Sequence, residues 1–83
     1  MSKILIIEDD LVFVRALKNW LEKEKFQVEY ATNATRARRM LSENGDADLI
    51  LSDMRLPDGD GVEILEWLNK RDSRIPFVVI LFQ

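Results

Sequence analysis

Acidic residues follow two apolar runs of the sequence, at the points where a buried strand would end. Glu8, Asp9 and Asp10 come directly after the run Ile4–Ile7, and Asp53 ends the later segment LILSD. Like charges a few ångström apart repel by about 4 kcal/mol per pair at an effective dielectric of about 20. If the two strands are neighbours in a sheet, the carboxylates must therefore take up protons, spread apart or bind a cation.

The composition narrows the choice of cation and of chemistry. The 83 residues include no cysteine and no histidine, which excludes a disulfide framework, thiolate metal sites, histidine-based catalysis and most zinc sites. With oxygen ligands only, the expected cation is Mg²⁺, with Mn²⁺ as a substitute. Mg²⁺ keeps several of its waters, which leaves room for a phosphoryl oxygen in the site.

Helix capping is the alternative explanation for acids that follow a strand. A carboxylate just before a helix accepts hydrogen bonds from its first N–H groups and complements the helix dipole. We interpret Asp10 as such a cap, whereas for Glu8 and Asp9 alone capping and metal binding explain the sequence equally well. Asp53 favours the metal, because capping explains less easily an acid that ends a second buried strand and precedes a loop with proline and glycine.

Strand and helix patterns alternate along the chain. Apolar runs and one alternating segment predict four strands, and apolar residues spaced by three and four predict three helices. This order predicts an open α/β sheet that is mainly parallel, with alternating helices and right-handed crossovers. The predicted strands are Ile4–Ile7, Phe26–Ala31, Leu49–Asp53 and Phe77–Phe82, and the predicted helices are Leu11–Glu24, a segment from Ala34 to before Asn44, and Val62–Lys70.

Caps and turns separate these elements. Thr32 or Asn33 is predicted to cap the second helix, which ends at Asn44 and Gly45. The loop MRLPDGDG, before the third helix, contains a proline and two glycines and is predicted to turn sharply. The predicted apolar stripe of the first helix comprises Phe13, Ala16, Leu17, Trp20 and Leu21.

Size and charge set the broad class of protein. A chain of 83 residues with a net charge of −3 and 47% hydrophobic residues fits one small folded domain. The acidic balance argues against direct contact with nucleic acid, because phosphate contacts need clustered Lys and Arg. No apolar stretch is long enough to span a bilayer and the N-terminus is not a signal peptide, so we expect a cytoplasmic protein without membrane contact.

Three segments of the chain resemble a known family. The sequences ILIIEDD, LILSDMRLPDGDGVEIL and IPFVVI together resemble the receiver domain of bacterial two-component response regulators, in order and over almost the whole of residues 1–83. The resemblance implies a flavodoxin-like fold and a signalling module that is not a turnover enzyme. The segment SDMRLPDGDG is most similar to receivers of the NtrC type, which control transcription through an AAA+ ATPase module and a DNA-binding module.

The resemblance implies a role for each acidic residue. Asp53 matches the aspartate that accepts a phosphoryl group from a histidine kinase and contributes to the metal site. Asp9 matches the direct carboxylate ligand of Mg²⁺, and Glu8 matches the neighbouring acid that holds the metal through water. The backbone carbonyl of Arg55 matches the main-chain metal ligand.

Other matched positions concern the shape of the loops. Pro57 and Gly61 match the turn that shapes the loop after the phosphoacceptor. Glu8 replaces the commoner aspartate, and its longer side chain should still reach a metal-bound water. Lys25 stands where the family often has glycine after the first helix, which should cost some stability if the position needs a positive φ.

The resemblance also implies that part of the family fold is missing. The family has five strand–helix units, and this chain is expected to stop after the fourth strand, without the lysine that pairs with the phosphoryl group. The hydroxyl residue that senses phosphorylation falls near Leu81, which is neither Ser nor Thr. We therefore expect weak Mg²⁺ binding and slow or absent phosphorylation. Residues 81–83, LFQ, match what a picornaviral 3C-type protease leaves, so a non-native tail, a frameshift and a deliberately cut fragment are all compatible with them.

A missing last unit predicts self-association. In the family strand order 2-1-3-4-5, the fourth strand becomes an open edge with unpaired backbone groups. The first helix loses its neighbour, so Phe13, Trp20 and parts of the third and fourth strands should expose apolar surface. We expect a homodimer or a higher oligomer through this edge and this apolar face.

Two other functions compete with a phosphoaccepting receiver. A structural, self-associating fragment of the receiver fold would keep the acids without using them for phosphotransfer. A Mg²⁺-dependent phosphohydrolase would place an aspartate nucleophile after the first strand, with a second aspartate two residues on. Glu8 takes the nucleophile's place here, which disfavours the phosphohydrolase.

Overall fold

The computed structural model describes residues 2–43 and 47–81, which form a main sheet, a short hairpin and three helices. Strands and helices alternate as predicted, except that the hairpin lies inside the predicted loop before the third helix. The elements in chain order are β1 (Lys3–Ile7), α1 (Leu11–Lys23), β2 (Gln27–Ala31), α2 (Ala34–Glu43), β3 (Leu49–Asp53), β4 (Arg55–Leu56), β5 (Gly59–Asp60), α3 (Gly61–Lys70) and β6 (Phe77–Ile80).

The main sheet has the strand order β2-β1-β3-β6, and its neighbouring strands all run parallel. Ile6 of β1 pairs with Tyr30 of β2 on one side and with Leu51 of β3 on the other. Leu51 in turn pairs with Val78 of β6. The predicted open, parallel α/β sheet and its strand order are therefore confirmed.

The core has two layers, because side chains along a strand alternate between the two faces of the sheet. In one layer Leu5, Ile7 and Ile50 pack against α2 and α3. In the other layer Ile4 and Ile6 pack against α1. β1 is thus buried on both faces, as its continuous apolar run predicts. The buried apolar residues of the helices are Val14 and Leu21 of α1, Ala34, Ala37 and Leu41 of α2, and Ile64 and Leu68 of α3.

The inner stripe of α1 differs from the prediction. Val14 and Leu21 are buried, whereas Ala16 is exposed and Trp20 keeps 60% of its surface exposed. α1 packs over β1 and contacts β2, and α2 and α3 lie in the opposite layer. The predicted stripe is therefore wrong for Ala16, whereas the exposure predicted for Trp20 is confirmed, because no other helix of the described ranges lies beside α1 for it to pack against.

The turn after α1 has the backbone conformation that favours glycine. Lys25 has a φ of 73°, in the left-handed region that favours glycine. Its N–H donates a hydrogen bond of 3.0 Å to the carbonyl of Glu22, which closes the end of the helix. The position does have a positive φ, which is the condition under which lysine was expected to cost stability there.

The last strand is shorter than predicted. β6 ends at Ile80, and Leu81 is exposed beyond it. The predicted end of the second helix at residues 44–45 lies outside the described residues, as does residue 82 of the predicted last strand. Within the ranges that the structure describes, no helix is both long enough and apolar enough to cross a membrane.

Candidate metal centre

Three carboxylates meet at one edge of the main sheet. Glu8 and Asp9 directly follow β1, and Asp53 is the last residue of β3. Because β1 and β3 are parallel neighbours, with Ile7 paired to Ser52, their ends lie at the same edge. One carboxylate oxygen from each of the three acids lies within 4.8 Å of the others. The expected meeting of these carboxylates is confirmed, and the group has a size and an oxygen ligand set that suit a hard cation.

Glu8 is the buried member of the group, with 5% of its surface exposed. Its backbone N–H donates to the carbonyl of Ala31 at 2.9 Å, which joins the ends of β1 and β2. Its Oε1 accepts a hydrogen bond of 3.0 Å from the N–H of Asp10. Its Oε2 is buried and accepts no hydrogen bond from any described residue. A buried acceptor without a partner is costly, so a proton, a water or a cation would stabilise it.

The surroundings of Glu8 favour its protonated form. Burial, followed by the nearby carboxyl group of Asp53, with which a protonated Glu8 can share its proton, raises the pKa of Glu8 from 4.5 to about 7. The negative charges of Asp53 and Asp9 act in the same direction, and the N–H of Asp10 opposes them. Near neutral pH, a proton and a cation therefore compete for this carboxylate.

Asp10 has a different role from its two neighbours. It is the N-cap of α1, with extended backbone angles of φ −82° and ψ 100°. Its Oδ1 accepts hydrogen bonds from the N–H groups of Val12 at 3.0 Å and Phe13 at 3.3 Å. The predicted cap is confirmed, and the run of three acids divides into two residues of the carboxylate group and one helix cap.

Gly61 packs directly against the end of β3. Its N–H donates to the carbonyl of Met54 at 2.9 Å. A Cβ at this position would lie 2.7 Å from the carbonyl oxygen of Asp53 and 3.0 Å from the hydroxyl of Ser52. That hydroxyl donates to the same carbonyl at 2.9 Å. A side chain at 61 would therefore displace the backbone that carries Asp53.

The segment after Asp53 forms a hairpin that the sequence reasoning missed. β4 and β5 pair antiparallel, with Arg55 opposite Asp60, and Pro57 and Asp58 connect them. Two-residue strands show too little periodicity to be recognised in a sequence. The assignment of the Arg55 carbonyl as a metal ligand and that of Pro57 as a loop-shaping residue remain predictions.

Asp58, at the tip of this hairpin, caps a helix that begins 24 residues earlier. One carboxylate oxygen accepts the N–H of Ala34 at 2.7 Å, and the other accepts the N–H of Thr35 at 2.9 Å and its hydroxyl at 2.6 Å. The local cap is also present, because Oδ1 of Asn33 accepts the N–H of Arg36 at 2.7 Å. The prediction for Asn33 is thus confirmed, whereas nothing in the sequence indicates that Asp58 lies beside α2.

Residues 4–82 of the chain match the response regulator receiver domain family. Among curated proteins, the response regulator protein PilR of Pseudomonas aeruginosa is 33% identical over 79 residues. A transcriptional regulatory protein of Haemophilus influenzae, a CpxR homologue, is 35% identical over 80 residues. These matches cover 95% and 96% of this chain, but only 18% and 34% of the two relatives. The chain thus spans a minor part of the length of these relatives.

Solved receiver structures share the fold. The non-phosphorylated receiver domain of HemR from Leptospira biflexa superposes with a TM-score of 0.90 at 35% identity, over all of this chain and 66% of that one. The response regulator MaeR bound to beryllium trifluoride gives a TM-score of 0.89 at 29% identity, over all of this chain and 69% of that one. The flavodoxin-like architecture is therefore confirmed, and the NtrC-type assignment stays a prediction.

Proposed function

The chain belongs to the response regulator receiver domain family, and we propose that it accepts a phosphoryl group from a histidine kinase on Asp53. Receiver domains are regulatory domains of two-component signalling, and the matched protein of Haemophilus influenzae is a transcriptional regulatory protein. The observation that carries the proposal is the position of Asp53 at the end of β3, with oxygen atoms of Glu8 and Asp9 within 4.8 Å.

Phosphoryl transfer requires little of the chain beyond a correctly positioned nucleophile. An Oδ of Asp53 attacks phosphorus and forms an O–P bond, while the bond from phosphorus to the donor histidine nitrogen breaks. The electron pair of the broken bond stays on that nitrogen, and because the second ring nitrogen of the donor carries a proton, the imidazole leaves neutral. Asp53 is only partly buried, so a donor can approach its carboxylate.

The same acids would hold Mg²⁺ as the cofactor. We propose Asp9, Asp53 and the backbone carbonyl of Arg55 as direct ligands, with Glu8 acting through a water. The unsatisfied buried Oε2 of Glu8 supports this assignment, because it needs a donor or a cation that no described residue supplies. When bound, Mg²⁺ offsets the negative charge of the carboxylates and of the incoming phosphoryl oxygens.

Beryllofluoride and acetyl phosphate, each with Mg²⁺, test the assignment of Asp53. MaeR supports the choice of beryllofluoride, since its structure contains beryllium trifluoride. We expect acetyl phosphate to add one phosphoryl group slowly, detected by mass spectrometry and mapped to Asp53 after digestion. Asp53→Asn should abolish the adduct. Asp72→Asn is the matched control, because Asp72 is exposed and its φ of 56° is well tolerated by asparagine.

Two results would contradict the proposal. One is an adduct of equal amount on the Asp53→Asn variant. The other is no adduct on this chain under conditions in which a longer receiver domain of the family is modified. In the second case the chain would have the family fold without phosphoacceptance.

A second candidate function is self-association, which the distribution of apolar surface favours. Trp20 of α1 is 60% exposed and Val78 of β6 is 46% exposed. Val78 lies beside Leu51, which packs in the α1 layer, so the exposed residues belong to one layer of the molecule. β6 is an edge strand of the described sheet and carries no charged residue to block pairing. We propose that a second copy of the chain covers this edge and face.

Multi-angle light scattering tests the self-association. We expect a mass of at least two chains, and Val78→Lys should shift the mass toward one chain because a charge on an edge strand opposes pairing. Asp53→Asn should leave the mass unchanged. A single-chain mass for the unsubstituted protein at all concentrations would contradict self-association and would leave the proposal of phosphoacceptance on Asp53 unaffected.

A further inference from the structure

The tip of the β4–β5 hairpin is fastened to α2 through the side chain of Asp58. Both carboxylate oxygens are engaged, one by the N–H of Ala34 and the other by the N–H and hydroxyl of Thr35, at 2.6–2.9 Å. Hydrogen bonds to a charged acceptor are strong, and the N-terminus of a helix favours a negative charge. Because both oxygens accept hydrogen bonds from α2, Asp58 fixes the position of the hairpin tip relative to that helix.

The base of the hairpin is fastened separately. The N–H of Met54 donates to the carbonyl of Ile80 at 3.1 Å, and the N–H of Gly61 donates to the carbonyl of Met54 at 2.9 Å. Leu56 also packs against the core layer below α2 and α3. Arg55 lies between the base at Met54 and the tip at Asp58, so its backbone position depends on both attachments.

The tip also borders the carboxylate group. A cleft of about 590 Å³ lies between the hairpin tip and the start of α2, and its lining includes Asp9, Thr35, Pro57 and Asp58. A change in the position of the tip therefore changes a wall of the space next to Asp9. Asp9 of the metal centre therefore lines the same cleft as Thr35 and Asp58, which attach the hairpin to α2.

We propose that Asp58 is a positioning residue for the metal centre. Its hydrogen bonds to Ala34 and Thr35 hold the β4–β5 hairpin, and with it the backbone carbonyl of Arg55, where Mg²⁺ can be bound together with Asp9. This inference rests on the proposed function, since it assumes that the acidic group binds Mg²⁺ and that Arg55 contributes its carbonyl.

The chain offers a matched pair of cap substitutions that separate positioning from helix stability. Asp58→Ala removes three hydrogen bonds at the start of α2 and frees the hairpin tip. Asn33→Ala removes the hydrogen bond to Arg36 in the same helical turn but leaves the tip attached. Both variants should lower the thermal midpoint, whereas only the first should weaken Mg²⁺ binding.

The expected loss of Mg²⁺ affinity is taken from other proteins in which a residue that orients a metal ligand has been replaced. Replacing such partners commonly weakens metal affinity by about 10–100-fold, and we expect a loss of about tenfold for Asp58→Ala. Thr35→Val should give a smaller loss, because the two backbone hydrogen bonds remain. Thr35→Ser keeps the hydroxyl and should restore the affinity. If Asp58→Ala does not fold, Asp58→Asn retains an acceptor for Ala34 and should give an intermediate loss.

Two readouts are measured on each variant of the full chain. Titration with Mg²⁺, followed by amide chemical shifts, gives the Kd. Hydrogen exchange of the metal-free protein reports the attachment itself: Asp58→Ala should speed exchange at Thr35 and in the hairpin, while Asn33→Ala should speed it at Arg36 and leave the hairpin unchanged.

The outcomes separate this inference from the proposed function. If the unsubstituted chain binds Mg²⁺ and Asp58→Ala binds it equally well, the positioning role is overturned and the metal centre stands. If Asn33→Ala weakens binding as much as Asp58→Ala, the effect belongs to helix stability and the positioning role is again overturned. If the unsubstituted chain shows no Mg²⁺ binding at millimolar concentrations, the metal centre and the positioning role fail together.

Discussion

The carboxylate of Asp58 accepts two hydrogen bonds from Thr35, one from the backbone N–H at 2.9 Å and one from the hydroxyl at 2.6 Å. The two residues are 23 positions apart, so this contact joins the hairpin after the proposed phosphoacceptor to the start of α2. The Thr35 hydroxyl, followed by the N–H groups of Ala34 and Thr35, lowers the pKa of Asp58 from 3.8 to about 2.

This lowered pKa predicts how the stability depends on acid. The unfolded chain takes up the Asp58 proton near pH 3.8 and the folded chain only near pH 2. Stabilisation by the ionised carboxylate is therefore fully present above pH 3.8 and is lost as the pH falls through about 2. We expect Asp58→Asn to lower the urea midpoint at neutral pH, with a difference from the unsubstituted protein that shrinks in acid.

Urea titrations over a series of pH values check this prediction. Asp72→Asn controls for the removal of one negative charge, because it lies outside the contact with α2. A difference between Asp58→Asn and the unsubstituted protein that stays constant down to a pH of about 2 would contradict the assignment of the effect to Asp58.

The raised pKa of Glu8 predicts that stability depends on pH with the opposite sign. Its folded pKa of about 7 lies above the unfolded value of 4.5, because burial and the contact with Asp53 favour the proton. Between these values the folded chain holds a proton that the unfolded chain has released, so stability falls as the pH rises from 4.5 through about 7. Glu8→Gln keeps the size of the side chain without the charge and should flatten this fall in the metal-free protein.

The thermal midpoint in the presence of a chelator, measured across this pH range, checks the prediction for Glu8. Mg²⁺ should stabilise the unsubstituted protein most above the folded pKa, where it does not compete with a proton. Glu66→Gln on the exposed surface of α3 is the control and should keep the slope of the unsubstituted protein. The prediction would be wrong if the Glu8→Gln protein kept that slope as well.

The parts of the structure that the sequence predicted are those with local signals. The apolar run of β1 followed by acids, and the cap at Asp10, can each be recognised within a few residues. The meeting of Glu8 with Asp53 needed one further rule, that parallel strands bring their carboxyl ends to one edge of the sheet.

The parts that the sequence did not predict depend on contacts between distant segments. The bond of Asp58 to Thr35 exists only because the hairpin tip reaches α2 in the folded chain. The exposure of Ala16 depends on which elements cover α1, a property of the whole fold. Periodicity along one helix indicates an apolar stripe but does not indicate what lies opposite that stripe.

Gly61→Ala should displace the end of β3 that carries Asp53. The added Cβ would lie 2.7 Å from the Asp53 carbonyl oxygen, and since this atom belongs to the backbone, the end of β3 must move. We expect a loss of about 1–3 kcal/mol in the free energy of unfolding, as for other overpacked positions, and a slower modification of Asp53 by acetyl phosphate. Asn69→Ala, on the exposed side of α3, should change neither quantity by much. Unfolding and phosphorylation at unchanged levels in Gly61→Ala would show that β3 tolerates the movement.

Lys25→Gly should stabilise the chain although it removes a side chain. At a φ of 73°, a residue with a Cβ is strained by about 1–2 kcal/mol, and glycine is not. Glycine also increases the freedom of the unfolded chain, so we expect a net gain of about 0.5–1 kcal/mol. Lys23→Gly, inside the last turn of α1, should instead cost about 1 kcal/mol, because glycine has low helix propensity. Urea unfolding of both variants checks the pair, and equal destabilisation by the two substitutions would mean that Lys25 is not strained.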